Sequence, residues 1–196
     1  MRSVVLGLLR IAISGQTGCG NSTASELVSK KLKLKKFNYT FHDLARDLNV
    51  PFARLHELAE LNPKYDFLLD KKQIEFALKE ENCVVGTRLA VFLDKISPKL
   101  GMKKPRFDLK VWLSAPLKTR ASRISERDGV NLDDALDEVI YRDNSNKERY
   151  KKLYGIEYAV PEDCLPIDNG NLDAKKTAAL VISAAGKLKR KIKKKR

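Results

Sequence analysis

Cysteine is scarce in this chain. Cys19, Cys83 and Cys164 are its only three, too few and too scattered for a disulfide framework or a zinc site, which predicts a reducing compartment. No apolar run approaches the roughly 18 residues of a membrane-spanning helix. Residues 4–13 are mostly apolar behind Arg2, but Arg10 interrupts them and no small-x-small cleavage site follows, which argues against a secretion signal. Residues 1–9 read as a leader or strand extension. These features predict a cytoplasmic protein with no membrane insertion. No internal repeat is visible.

What is present is a chain of 196 residues with 43% hydrophobic content, enough for one well-buried core and too short for two. Its net charge is +14, and eight of the positive charges lie in residues 187–196; removing those eight leaves +6 for the body. That excess suits polyanionic ligands such as nucleotides and equally suits a lysine-rich proteome. The basic tail, 187–196, has no interleaved aromatics for base stacking. It reads as a solvated helix end, with attraction to nucleic acid or an anionic membrane as the alternative.

The chain is organised around Ile11–Thr23, an apolar run that breaks into glycines and then opens a helix. Gly15, four spacers, Gly20 and then Ser22 fit the spacing G-x-x-x-x-G-K-[ST] except at the lysine, where Asn21 stands. Glycines there let successive N–H groups converge on one anion while the helix adds its positive end, and the Ser22 hydroxyl suits magnesium. The expected ATP-binding set is Gly15, Gln16, Thr17, Gly18, Cys19, Gly20, Asn21, Ser22 and Thr23. Cys19 has two readings, a small apolar packer or a thiol of lowered pKa beside the helix N-terminus.

Ala24, Leu27, Val28 and Leu32 follow at helical spacing. Residues 34–39 form a lysine-bearing edge strand, and three short helices then divide at Pro51 and Pro63. Cys83–Val85 reads as a buried strand, with Gly86-Thr87-Arg88 leading into a helix through Ile96. Leu109–Leu113 is another strand and 117–127 a helix with Pro116 at its start. A long helix spans 132–153, with Ala135, Leu136, Val139 and Ile140 on its apolar side and Gly155 as its stop. Cys164–Ile167 is an edge strand, because Pro166 cannot donate to a ladder, and 173–188 closes the chain as a helix. Such alternation argues for a parallel sheet covered on both faces.

Beyond the loop, several stretches together resemble the archaeal-like cytidylate kinases, in the nucleoside monophosphate kinase group of P-loop kinases, over residues 10–185. They are Tyr39–Arg46, Pro63–Asp66 through Asp70–Gln73, and Val84–Ala90. Further on come Ala115-Pro116 leading to Arg120, Arg123, Ile124 and Arg127–Gly129, then Arg142 with Arg149-Tyr150 and Leu153–Ile156. The resemblance implies a three-layer α/β/α fold with a five-stranded parallel sheet of P-loop kinase type. The core would comprise 10–37, 80–120 and 160–186, with a helical monophosphate-binding insert at about 38–78 and a lid at about 121–155. It implies transfer of the γ-phosphoryl group of ATP to CMP or dCMP with Mg2+, by a monomer.

By the same resemblance, Arg46 and Arg88 grip the monophosphate, with Asp43, Gln73 and Asn146 near it, and Arg123, Arg127, Arg142 and Arg149 are catalytic. Arginine's fork suits phosphate better than a lysine point charge. His42 reads as a loop histidine or a base reader. Two positions depart from the pattern: Asn21 replaces the loop lysine, and Gly86 stands where many relatives carry an acid. They leave open a kinase with another small acceptor, or an impaired nucleotide- or nucleic-acid-binding relative whose nucleic-acid contacts come from the tail.

Overall fold

A computed structural model describes residues 8–37 and 39–194. The side chains of His42, Phe52, Ala53, His56 and Glu60 and those from position 189 onward lie outside the description. Five parallel strands form one sheet in the order β2-β3-β1-β4-β5, with β1 Leu9–Gly15, β2 Lys35–Lys36, β3 Asn82–Gly86, β4 Leu109–Ser114 and β5 Leu165–Asp168. The lysine pair of β2 and the proline-bearing β5 are the edges, as ladder chemistry favours.

Side-chain alternation divides the core between the two faces of the sheet. Leu9, Ile11, Ile13, Val84, Val111 and Leu113 face α1 (Asn21–Leu32) and α8 (Ala174–Lys194), whose Ala24, Val28, Ala178, Val181 and Ala185 complete that layer. Ala12, Val85 and Trp112 face the other layer, built with α4 (Lys64–Lys79), α5 (Leu93–Ile96) and the C-terminal end of α7 (Leu132–Tyr154). There Tyr158 packs against Tyr150 and Trp112 at ring distances of 5.1 and 5.3 Å.

Between β2 and β3 the chain makes α2 (Phe41–Asp47), α3 (Phe52–Leu61) and α4, with a separate small cluster around Leu44, Ala45 and Leu55. Helices α6 (Leu117–Asp128) and α7 pack through Ala121, Ile124, Ala135 and Val139. Three expectations shift. Helix α1 begins at Asn21, because the left-handed Gly20 forms its N-cap. The helix expected through Ile96 is a single α-turn between two 3-10 turns, Pro98 entering the second. Ile140 lies outside the apolar face of α7, at 45% exposure. No helix among the described residues is long and apolar enough to cross a membrane.

Candidate active site

The C-terminal ends of parallel strands are where an α/β sheet places its ligands, and Gly15 at the end of β1 opens the loop there. A Cβ on Gly15 would stand 2.4 Å from the Leu113 carbonyl, and one on Gly18, at φ +81, 2.7 Å from the Arg120 carbonyl. Neither position tolerates a side chain.

Five of the six carbonyls from Gly15 to Gly20 accept hydrogen bonds from the protein. Gly15 O accepts from Asn21 Nδ2 at 3.2 Å and from the Tyr158 hydroxyl at 2.9 Å. Gln16 O accepts from the Cys19 N–H, Thr17 O from Arg120 Nη1 at 2.9 Å, Cys19 O from Asn169 Nδ2 at 2.9 Å, and Gly20 O from the Ala24 N–H. With its carbonyls occupied inward, the loop presents amides. No side chain caps α1, so the N–H groups of Asn21, Ser22 and Thr23 lack an intrahelical acceptor. This is an anion cradle, and the exposed Ser22 hydroxyl lies in its first turn.

A carboxylate already touches it. Asp143 on α7 accepts from the Thr17 N–H at 3.0 Å and pairs with the buried Arg120 at 2.6 Å. Arg120 in turn holds the carbonyls of Ala115 and Thr17. Sequence reading missed Asp143, because a carboxylate on a long polar helix looks solvated; its only signal was the adjacent Arg142. A cavity of about 470 Å³ lies beside this contact, bordered by Gln16, Asp143, Lys147 and Glu157 among others.

Of the expected residues, Arg88, Gln73 and Arg149 lie where β3, α4 and α7 meet. Arg88 follows β3 and lies beside the Tyr150 phenol, which burial raises to about 12 against the opposing effect of that guanidinium. The Thr87 hydroxyl donates to Gln73 Oε1 at 2.6 Å, Gln73 Nε2 donates to Asp70 Oδ1 at 2.8 Å, and the Tyr154 hydroxyl donates to Asp70 Oδ2. Burial pushes the Asp70 carboxyl up to about 7 despite the Tyr154 donor. Arg149 reaches from α7 to Asp66 on α4 and to the Ala59 carbonyl. Asn146 is buried on the same helix.

The others stand apart from this cluster. Asp43 caps α2 in a reciprocal box with Thr40, and Arg46 pairs with it from a 74% exposed position. Arg127 pairs with its neighbour Asp128, and Arg142 with Glu138 one turn away. Arg123 donates to the carbonyls of Asn169 and Leu172, bracing the loop after β5.

The geometry corrects two sequence expectations. Cys19 is buried beneath the loop, and burial raises its thiol to about 11 rather than lowering it. Gly86 is no vacated acid position in this arrangement: a Cβ there would stand 2.2 Å from Ser25 Oγ, so α1 packs where a side chain would go. Asn21 turns inward, its Nδ2 on Gly15 O and its Oδ1 buried without a partner. Among the described residues no three metal-ligating side chains cluster. The His42 side chain and the tail side chains from position 189 onward lie outside the description.

The profile of the cytidylate kinase-like family matches residues 10–164. The chain belongs to the cytidylate kinase-like family. It is 35% identical to cytidylate kinase 2 of Borrelia garinii over 179 residues, covering 88% of this chain and 94% of that one. It is 32% identical to the cytidylate kinase of Methanocaldococcus jannaschii over 186 residues, covering 92% and 99%. Among solved structures, deoxyadenosine kinase from M. mycoides with bound dATP superposes with a TM-score of 0.55 at 22% identity, covering 91% of this chain and 100% of that one. Shikimate kinase from Acinetobacter baumannii superposes with a TM-score of 0.57 at 13% identity, covering 90% and 92%. At such identities these two show the fold, that of P-loop kinases. As a member of the cytidylate kinase-like family the chain is an enzyme, a nucleoside monophosphate kinase.

Proposed function

We propose that this member transfers the γ-phosphoryl group of ATP to CMP or dCMP, giving ADP and CDP or dCDP, in the cytoplasm. The carrying observation is the loop from Gly15 to Thr23, its carbonyls bonded inward and its helix uncapped; Arg88 and Arg149 would supply the acceptor side. The names of its relatives support the pyrimidine acceptor.

In this reading an acceptor phosphate oxygen attacks the γ-phosphorus in line, and the bond to the β,γ-bridging oxygen breaks as ADP leaves. The acceptor is already ionised, so no general base is needed; positioning and charge neutralisation carry the rate. Loop amides hold the β-phosphate. Arg88 and Arg46 grip the acceptor phosphate, Arg46 exchanging its Asp43 partner for it. Arg142 and Arg149, two turns apart on α7, close over the transferring group, and Arg127 follows with the lid. Gln73, locked between Asp70 and Thr87, shapes the acceptor wall, as does Asn146. Arg123 acts through the loop after β5, which it braces. Magnesium fits a site of this kind, which offers one hydroxyl, Ser22, and no carboxylate cage: the ion takes few protein ligands besides nucleotide phosphates and water, and when bound it neutralises phosphate charge.

A coupled ADP-release assay across CMP, dCMP, UMP and AMP tests the reading. It expects CMP or dCMP to lead the panel. Preference for UMP or AMP would move the acceptor assignment, and absence of ADP release with all four would end it.

A further inference from the structure

A phosphate loop of this type ordinarily carries a lysine at the position of Asn21, bridging the phosphates between which the bond breaks. Here Asn21 supplies no charge, and its amide group is bonded to the Gly15 carbonyl beneath the loop. The reaction still concentrates negative charge above Gln16 and Thr17, so a cation must come from elsewhere.

Most cations around the loop are committed. Arg120 is buried and held by Asp143 and two carbonyls. Arg123 serves Asn169 and Leu172, Arg142 serves Glu138, and Arg149 serves Asp66 and Ala59. Lys147 differs. It lies one turn beyond Asp143 on the face of α7 that meets the loop, borders the same cavity as Gln16, and makes no ion pair among the described residues. Of the two acids bordering that cavity, Asp143 is held by the Thr17 amide and Arg120, and Glu157 is paired with Lys151.

Resting on the kinase reading above, we infer that Lys147 is the cation that replaces the missing loop lysine: its ammonium enters the cavity from α7 and contacts the γ-phosphate of ATP during transfer. A point charge on a flexible stem suits a group that must follow a moving phosphoryl, whereas Asp143 anchors the same helix to the Thr17 amide and fixes where the stem begins. Supplying the charge from α7 also ties catalysis to docking of that helix on the loop.

The test uses the full chain with ATP, Mg2+ and CMP. Lys147→Ala is expected to lower kcat/KM about 100-fold, as for loss of one transition-state donor, while its melting temperature stays at the wild-type value because the residue is exposed. Lys147→Arg is expected to keep activity within about tenfold of wild type. Adding Asn21→Lys to Lys147→Ala is expected to regain at least about tenfold, since the charge returns from the loop side. A Lys147→Ala enzyme within about threefold of an active wild type overturns this inference and leaves the kinase reading standing. A wild type inert on every monophosphate overturns the kinase reading itself, and the inference with it.

Discussion

The phosphate loop and the α2–α3 segment of the insert are built in opposite ways. Every loop carbonyl from Gly15 to Gly20 that meets a side chain meets one from far along the chain: Tyr158, Arg120 and Asn169 clasp three of them. Helix α2 is held by its own neighbours, Thr40 with Asp43 and Asp43 with Arg46, on an exposed surface. Long-range bonding of buried groups makes the loop rigid before any nucleotide arrives, as electrostatic stabilisation requires. The α2–α3 segment has its own small apolar cluster, separate from the two layers that cover the sheet. Arg149 of α7 reaches Ala59 on α3 and Asp66 on α4.

The largest effect should come from forcing a side chain under the loop. Gly86→Asp would place atoms within the Ser25 side chain and add an unpaired carboxylate, with an expected loss of about 4 kcal/mol and a large drop in melting temperature; a wild-type melt would show that α1 does not pack there. Next, Asp143→Ala strands the buried Arg120 and removes the acceptor of the Thr17 amide, for an expected loss of about 3 kcal/mol in chemical denaturation. Arg149→Lys keeps a charge but loses the fork, and about a tenfold fall in kcat/KM is expected in steady-state assays. At the other extreme, Arg46→Ala should change stability by no more than ~0.5 kcal/mol, because its pair is exposed, while raising the KM for CMP. Equal stability losses for Arg46→Ala and Asp143→Ala would erase the contrast between the regions.

A separate effect is one of pH. Asp70 sits near 7 in the folded chain against an ordinary 3.8, so the folded state keeps a proton that the unfolded state has released. Its contribution is fully present below about pH 4 and is lost as pH rises through 7. Melting temperatures measured from pH 4 to 8 should therefore decline less steeply in Asp70→Asn than in wild type, and an unchanged slope would contradict the burial of that carboxyl.

Much of the fold was legible because it rests on local patterns. Pro166 and the lysines at 35 and 36 marked the two edges, and the Gly15–Ser22 spacing marked the loop. The site was legible only where function follows the backbone. Asp143 and Lys147 belong to a helix whose surface is charged throughout, and only the approach of α7 to the loop distinguishes them from solvated neighbours. Likewise Gly86 looked like a missing acid, whereas its meaning lies in contact with Ser25, a residue distant in sequence. Gln73 and Asp70, an ordinary polar pair on paper, are buried together against Tyr154.

The central claim is that this loop, lacking its lysine, transfers phosphoryl to a pyrimidine monophosphate rather than merely holding nucleotide. Phosphorus-31 NMR of the full chain with ATP, Mg2+ and CMP follows the transfer itself. The account predicts that the β-phosphate resonance of CDP grows in step with that of ADP. Release of inorganic phosphate without CDP, or an unchanged ATP spectrum, would contradict it.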